Sequence, residues 1–263
     1  MGADSLLVET VERLFAEMLT PEYLADAQGS GGPEFIALAQ EIGLDAVLVP
    51  QEQGGYGGGW PDAFVIAEAC GRYAAPGDLP DMMIARGLGL AAEQVNNTPE
   101  PLPHAAGAML RSAQMAGAAQ ALVDRSVEYC GERQQFGRPI AKFQAVQQQL
   151  AELAGYAAGM HAVSQQAFAA VQRYGMPDSE ENPAWLAMAM AKCRCSELVQ
   201  PVTLIAHGVH GAIGFTEEFG LQYFSRPLWR WRAEYGRHSD WAKAIGRRAI
   251  SLGPEAAWAA LAS

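Results

Sequence analysis

The stretch ERQQFGRPIAKFQAVQQQL, residues 132–150, separates two long apolar-rich segments. Its first part cannot remain helical. Gly137 tolerates a positive φ, and Pro139 disfavours an α conformation at Arg138. One helix is therefore expected to end near Gln134 and another to start after Pro139. The corner between them gathers two guanidinium groups, amide side chains and an aromatic ring. Guanidinium forks match phosphate oxygens because they offer planar, paired donors. An exposed Phe136 offers a flat face to a heteroaromatic ring. The same residues also suit an ordinary helix–helix turn with solvated arginines, and spacing alone does not choose between the two.

Outward from the corner, both flanks read as helix. Residues 105–131 place Met109, Ala113, Ala116, Ala119 and Val123 on or near one face, and their small residues permit close helix packing. Residues 141–174 are alanine-rich, with Leu150, Leu153, Met160 and Phe168 as core candidates, and Gly175 and Pro177 close them. Asn182-Pro183 begins a further helix to about 206. Another is expected over 217–231, and the tail, 238–262, reads as helix interrupted near Gly253-Pro254.

Toward the N-terminus, residues 4–18 form an amphipathic helix with Leu7, Val11, Leu14, Phe15 and Met18 on one face. After a breaker at 28–33, a helix starts at Pro33 and stops at Gly43. The apolar run Leu44–Pro50 is expected as a strand or an extended connection. The glycine-rich loop 51–60 lacks the Gly-Lys-Ser/Thr ending of a P-loop and reads as a turn before a helix over 61–72. Residues 76–104 are too few for a stable small sheet, and Asn96–Pro103 is a proline-rich linker. The expected architecture is all-α: an N-terminal helical domain (1–95), a linker (96–104) and a C-terminal helical bundle (105–263).

The chain has 263 residues, half of them apolar, and a net charge of −11. That acidity argues against nucleic acid or an anionic membrane as partner, though not against a single anionic ligand held by local arginines. Cys70, Cys130, Cys193 and Cys195 have no Cys-x-x-Cys spacing and no histidine spacing that makes a zinc site, so no metal is expected. Free thiols, no evident signal peptide and no uninterrupted apolar stretch long enough to span a bilayer fit a cytoplasmic protein.

Arg133-x-x-Phe136-Gly137-x-Pro139-Ile140 followed by Phe143-Gln144 resembles the signature of the acyl-CoA dehydrogenase family. The segment His207–Glu218, HGVHGAIGFTEE, resembles that family's Gln-x-x-Gly-Gly-x-Gly-Phe-x-x-Glu segment. A less specific third match is the order helix, Leu-Gly-Leu-like apolar run and Glu52-x-Gly-Gly-x-Gly near the N-terminus. Gly117, Gln120 and Asp124 also fit the family pattern. The resemblance covers most of the chain but not the family's middle β-domain, for which there is no room.

The resemblance implies FAD as cofactor and acyl-CoA as substrate. The family's chemistry is α,β-dehydrogenation of a thioester, with flavin as hydride acceptor and a carboxylate as base. It implies flavin contacts from Arg133 to the pyrophosphate, Gln135 two residues on, Phe136 beside the adenine, Gln144 at the adenine end, and backbone at Gly211 and Ala212. Gly208 stands where the family has a glutamine. His207 or His210 is an alternative donor there, or both are structural. The family's catalytic glutamate falls on Tyr235, a poor base, with Glu234 one residue away; the alternative base position falls on Gly107.

Degenerate base positions and a missing domain resemble one subunit of the heteromeric, steroid-type acyl-CoA dehydrogenases, in which unlike subunits share FAD sites. Lipid metabolism, and steroid catabolism in particular, follows from that resemblance. A homo-oligomeric enzyme using Glu234 and a non-catalytic helical scaffold are the alternatives. Trp229-Arg230-Trp231-Arg232 suits an interface, since Trp and Arg are enriched at hot spots.

Overall fold

The computed structural model describes residues 2–27, 30–90, 101–217 and 219–262, with the backbone alone at 101–103 and 261–262. Its elements in chain order are α1 (Ser5–Met18), α2 (Pro21–Asp26), α3 (Pro33–Glu41), α4 (Trp60–Arg72), α5 (Leu79–Gly87), α6 (Pro101–Glu132), β1 (Gln134–Gln135), β2 (Arg138–Pro139), α7 (Gln144–Tyr174), α8 (Pro183–His210), α9 (Gln222–Ala233), α10 (His238–Leu252) and α11 (Pro254–Ala262). The all-α expectation holds, and β1–β2 is the only strand pair among the described residues.

Caps and apolar stripes explain the first helices. Asp4 accepts from the Leu6 amide at the start of α1, leaving Leu7, Val11 and Phe15 to bury one face. Thr20 caps α2, whose first residue is Pro21. Gly43, at φ 79°, stops the chain after α3.

The run Leu44–Pro50 is neither strand nor extended connection. Leu44–Ala46 form a 3₁₀ turn, because the glycine-rich loop supplies the partners that a sheet would otherwise have supplied. The amides of Tyr56, Gly57 and Gly58 donate to the carbonyls of Ala46, Val49 and Val47. A Cβ on Gly55 would lie 2.1 Å from the Val49 carbonyl, so the loop folds onto the run by backbone contact. With those amides engaged, the loop is a turn and not a phosphate cradle.

Three boundaries depart from expectation. Helix α5 lies in a stretch of the N-terminal domain to which the sequence reading assigned no element. The linker 96–104 is helical from Pro101 onward, since prolines fit a helix's first turn; residues 96–100 lie outside the described residues. The helix expected over 217–231 begins at Gln222, after Gly220 at φ 71°. Only residues 91–100 separate the described part of the N-terminal region from α6, which leaves no room for a β-domain.

α6, α7 and α8 pack side by side as the central bundle, and α4 crosses α6 at very short range. A Cβ on Gly71 would lie 1.9 Å from the Gln114 carbonyl oxygen, and one on Gly117 would lie 1.9 Å from the Glu68 carbonyl oxygen. Each helix presents a glycine to the other's backbone. One apolar cluster therefore runs from Phe15 and Phe35 through Met109 to Phe168, and a second fills the bundle around Met115, Leu153, Met160 and Trp231. α8 and the turn after it form a segment that is long and apolar enough to cross a membrane, contrary to the sequence expectation. It nevertheless lies at the bundle's centre and carries the fully buried Lys192.

Across the α4–α7 contact, His161 Nδ1 lies 2.5 Å from Glu68 Oε1. Hydrogen bonding to Glu68 raises the His161 pKa above the ordinary imidazole value. The pairing therefore stabilises the fold fully below about pH 6.5 and fades as pH rises through the raised value. In urea titrations, the midpoint gap between wild type and His161→Gln should be widest near about pH 6 and close toward about pH 9. A gap that is constant with pH would remove the ion-pair explanation.

Candidate functional site

The corner after α6 is a two-residue β-hairpin. Gln134 pairs with Pro139 and Gln135 with Arg138. The two residues of the turn, Phe136 and Gly137, have φ of 52° and 76°, the signs a type I′ turn requires. The turn lifts Phe136 almost wholly into solvent, 91% exposed. Arg138 is taken up locally, its guanidinium lying 4.3 Å from the centre of the Phe143 ring. Arg133 is exposed and forms no ion pair among the described residues.

Across from the hairpin, α8 ends in Gly208-Val209-His210, followed by Gly211 at φ 61°. Arg133 and Gln135 from the hairpin side, and Gly208, Gly211 and Ala212 from the α8 side, line one open cleft of about 550 Å³. The space beside Gly208 and Gly211 is empty where a Cβ would stand, so a ligand can touch the backbone there. An unpaired guanidinium opposite bare backbone fits a diphosphate group. Phe136 and Gln144 are not in the cleft; both are exposed, Phe136 at the hairpin tip and Gln144 at the first residue of α7.

Of the two histidines weighed against Gly208, His210 lines the cleft. Its Nδ1 lies 2.6 Å from the Ala206 carbonyl, and its ring stacks on Tyr129. Burial lowers its pKa, so it stands there as a neutral ring. His207 packs its ring against Phe215 instead. Tyr129, Ile140, Val209 and Ile213 complete the cleft. The sequence reading gave none of these four a role, although Ile140, Val209 and Ile213 stand inside the two motifs and Tyr129 lies one turn before Arg133.

The other end of α6 holds both positions that the resemblance links to the base. They meet in space: a Cβ on Gly107 would lie 2.3 Å from the Tyr235 ring. The ring occupies the room that glycine leaves. The Tyr235 hydroxyl donates to Asp81 Oδ1 at 2.5 Å, and Trp241 Nε1 donates to the Tyr235 carbonyl at 2.8 Å. Burial, then the neighbouring Asp81, pushes the phenol far above its ordinary pKa, so it carries no negative charge to act as a base.

Glu234 is not a free carboxylate. Arg111 Nε lies 2.5 Å from its Oε2, and Arg230 Nε lies 3.2 Å from its Oε1. Arg111 also donates to Asp81 at 2.7 Å and to Gln114 at 2.7 Å. Both carboxylate oxygens of Glu234 are therefore engaged by guanidinium donors, and the side chain is tied to Arg111 and Arg230 rather than turned toward open space. Behind this group, Lys192 Nζ donates to the carbonyls of Trp231 and Arg232, fixing the end of α9; burial lowers its pKa to about 7. Asp81, Arg111 and Lys192 were not singled out in the sequence. A lone arginine on an alanine-rich apolar face was the available signal for Arg111.

The chain resembles known proteins in both sequence and fold. The model for the acyl-CoA dehydrogenase N-terminal domain matches residues 3–95, and that for the C-terminal domain matches residues 105–231. Acyl-CoA dehydrogenase IpdE2 of Mycolicibacterium smegmatis is 26% identical over 294 residues, covering 84% of this chain and 91% of the relative. Two solved structures share the fold. The ChsE4–ChsE5 complex from Mycobacterium tuberculosis gives a TM-score of 0.78 at 16% identity, covering 94% of this chain and 97% of that one. A variant of the Tcur3481–Tcur3483 steroid ACAD gives 0.79 at 18% identity, covering 92% and 96%. The two domain models together span most of the sequence, in order and without a middle domain between them: the chain belongs to the acyl-CoA dehydrogenase family.

Proposed function

We propose that this chain is one subunit of a hetero-oligomeric, FAD-dependent acyl-CoA dehydrogenase, and that it supplies part of a shared flavin site while an unlike subunit supplies the base. The observation that carries this reading is the contrast between the two ends of α6. At one end, Arg133, Gln135, Gly208, Gly211 and Ala212 line a single open cleft. At the other, Tyr235 fills the base position and Glu234 is tied to Arg111.

When bound, FAD supplies the hydride-accepting ring. Arg133 would hold its diphosphate through paired N–H donors. The backbone at Gly208, Gly211 and Ala212 would let the diphosphate approach closely, and Phe136 would offer its face to the adenine. The base then has to come from the partner subunit. Of the two similar structures, one is a two-component complex and the other a steroid enzyme, which favours a bulky, steroid-type acyl-CoA as substrate. A cytoplasmic location goes with such a substrate.

The test is the yellow flavin absorbance of the chain purified alone and co-expressed with a full-length dehydrogenase subunit. The reading expects a colourless chain alone and a flavin-bearing, active complex. In that complex Arg133→Ala should weaken flavin retention about tenfold or more, the loss of a charge-assisted hydrogen bond. Flavin in the isolated chain, with turnover abolished by Glu234→Gln, would establish a complete enzyme instead. No flavin in either preparation would make the chain a scaffold.

A further inference from the structure

The chain's charge is distributed unevenly. Residues 1–52 hold ten carboxylates and one cation, Arg13, whereas residues 222–252 hold seven cations and two carboxylates. Four of those cations lie on α9 and in the turn after it, and three on α10. Arg226, Trp229 and Arg230 are exposed at helical i, i+3, i+4 spacing, and Arg237 is exposed in the turn that follows the helix. Trp229 is 44% exposed, with the Arg232 guanidinium 5.2 Å from its ring centre. No carboxylate among the described residues lies within ion-pair distance of Arg226, Arg232 or Arg237. The exposed acids of α1 to α3, among them Glu9, Glu17, Glu22, Asp26 and Glu34, likewise have no cation partner there.

The two patches border one another. Leu19, Pro21 and Leu24, from the α1–α2 region, share a shallow cleft with Phe224 of α9. Adjacent patches of opposite sign on one molecule are self-complementary under a two-fold rotation, since each copy's basic stripe then faces the other's acidic helices. Arginine and tryptophan, rather than lysine, make up the stripe, as at interface centres.

We infer that the outward face of α9 docks onto the acidic α1–α2 region of a second copy of this chain. The net charge of −11 opposes pairing at long range. At about 0.1 M salt that repulsion is screened beyond roughly 10 Å while the short-range pairs persist; at about 1 M the pairs are screened too. The contact is independent of the shared-flavin reading, because it needs neither flavin nor an unlike subunit.

Sedimentation velocity of the purified full chain tests it. A dimer at about 0.1 M salt that becomes monomeric at about 1 M is expected. Arg226→Glu/Arg230→Glu/Arg237→Glu should be monomeric, and so should Glu17→Lys/Glu22→Lys/Asp26→Lys. Mixed in equal amounts, the two variants should pair again, since each then offers what the other lacks. Every substituted side chain is exposed, and all but the partly paired Arg230 are free of ion pairs among the described residues; circular dichroism checks that both variants remain folded. A wild-type monomer at about 0.1 M, a dimer surviving the arginine reversal, or no pairing on mixing would each overturn the inference.

Discussion

Arg111→Met should cost the fold about 3–5 kcal/mol, the range for breaking a buried charge network by removing one partner. Arg111 is 3% exposed and balances two carboxylates from distant parts of the chain, Asp81 of α5 and Glu234 beyond α9. Without it, Asp81 stays 2% exposed, with the Tyr235 hydroxyl still donating to it. The loss is a large fraction of a typical domain's stability of about 5–15 kcal/mol. Arg111→Met/Asp81→Leu should recover much of it, because apolar replacement of a whole buried pair is often near neutral. Urea denaturation of the three proteins measures both numbers. If the single variant lost under about 1 kcal/mol, the network would be incidental to stability.

Gly117→Ala should be nearly as damaging, although alanine is the better helix former. Its Cβ would sit 1.9 Å from the Glu68 carbonyl oxygen and 2.8 Å from the Arg72 nitrogen, both backbone atoms that no rotamer change can move. α4 and α6 would have to separate, lifting the N-terminal helices off the bundle. Overpacking typically costs about 1–3 kcal/mol, against a helix-propensity gain of about 1 kcal/mol. A backbone collision should place this site at the upper end, at about 3 kcal/mol net. Gly159→Ala is the control: it is inside α7 with open space around it, and should stabilise by about 0.5–1 kcal/mol. Similar effects at both sites would show that the α4–α6 crossing adapts easily.

Local pattern made much of the fold legible. Apolar residues at helical spacing located α1, α4 and the three bundle helices to within a few residues, because a stripe facing a core leaves a 3.6-residue period. α5 escaped notice because its nine residues are buried on several sides, leaving no clear stripe. The Leu44–Pro50 run was misread because its partners are loop amides rather than another strand, and an apolar run alone does not show which. At the candidate site, the arginine corner and the glycine segment were readable because each is a contiguous motif. The Asp81, Gly107, Arg111, Glu234 and Tyr235 cluster was not. It assembles from three separate parts of the chain, α5, α6 and the turn after α9, and no spacing within the sequence reports that meeting.

α6 is also a ruler. Gly107 and Glu132 belong to one uninterrupted helix, and at 1.5 Å per residue they stand roughly 37 Å apart. The base-equivalent position and the arginine beside Glu132 are therefore held at a fixed separation by one rigid rod. On the shared-site reading proposed above, the two ends of one copy would serve two different flavin sites, and either end could change without disturbing the other.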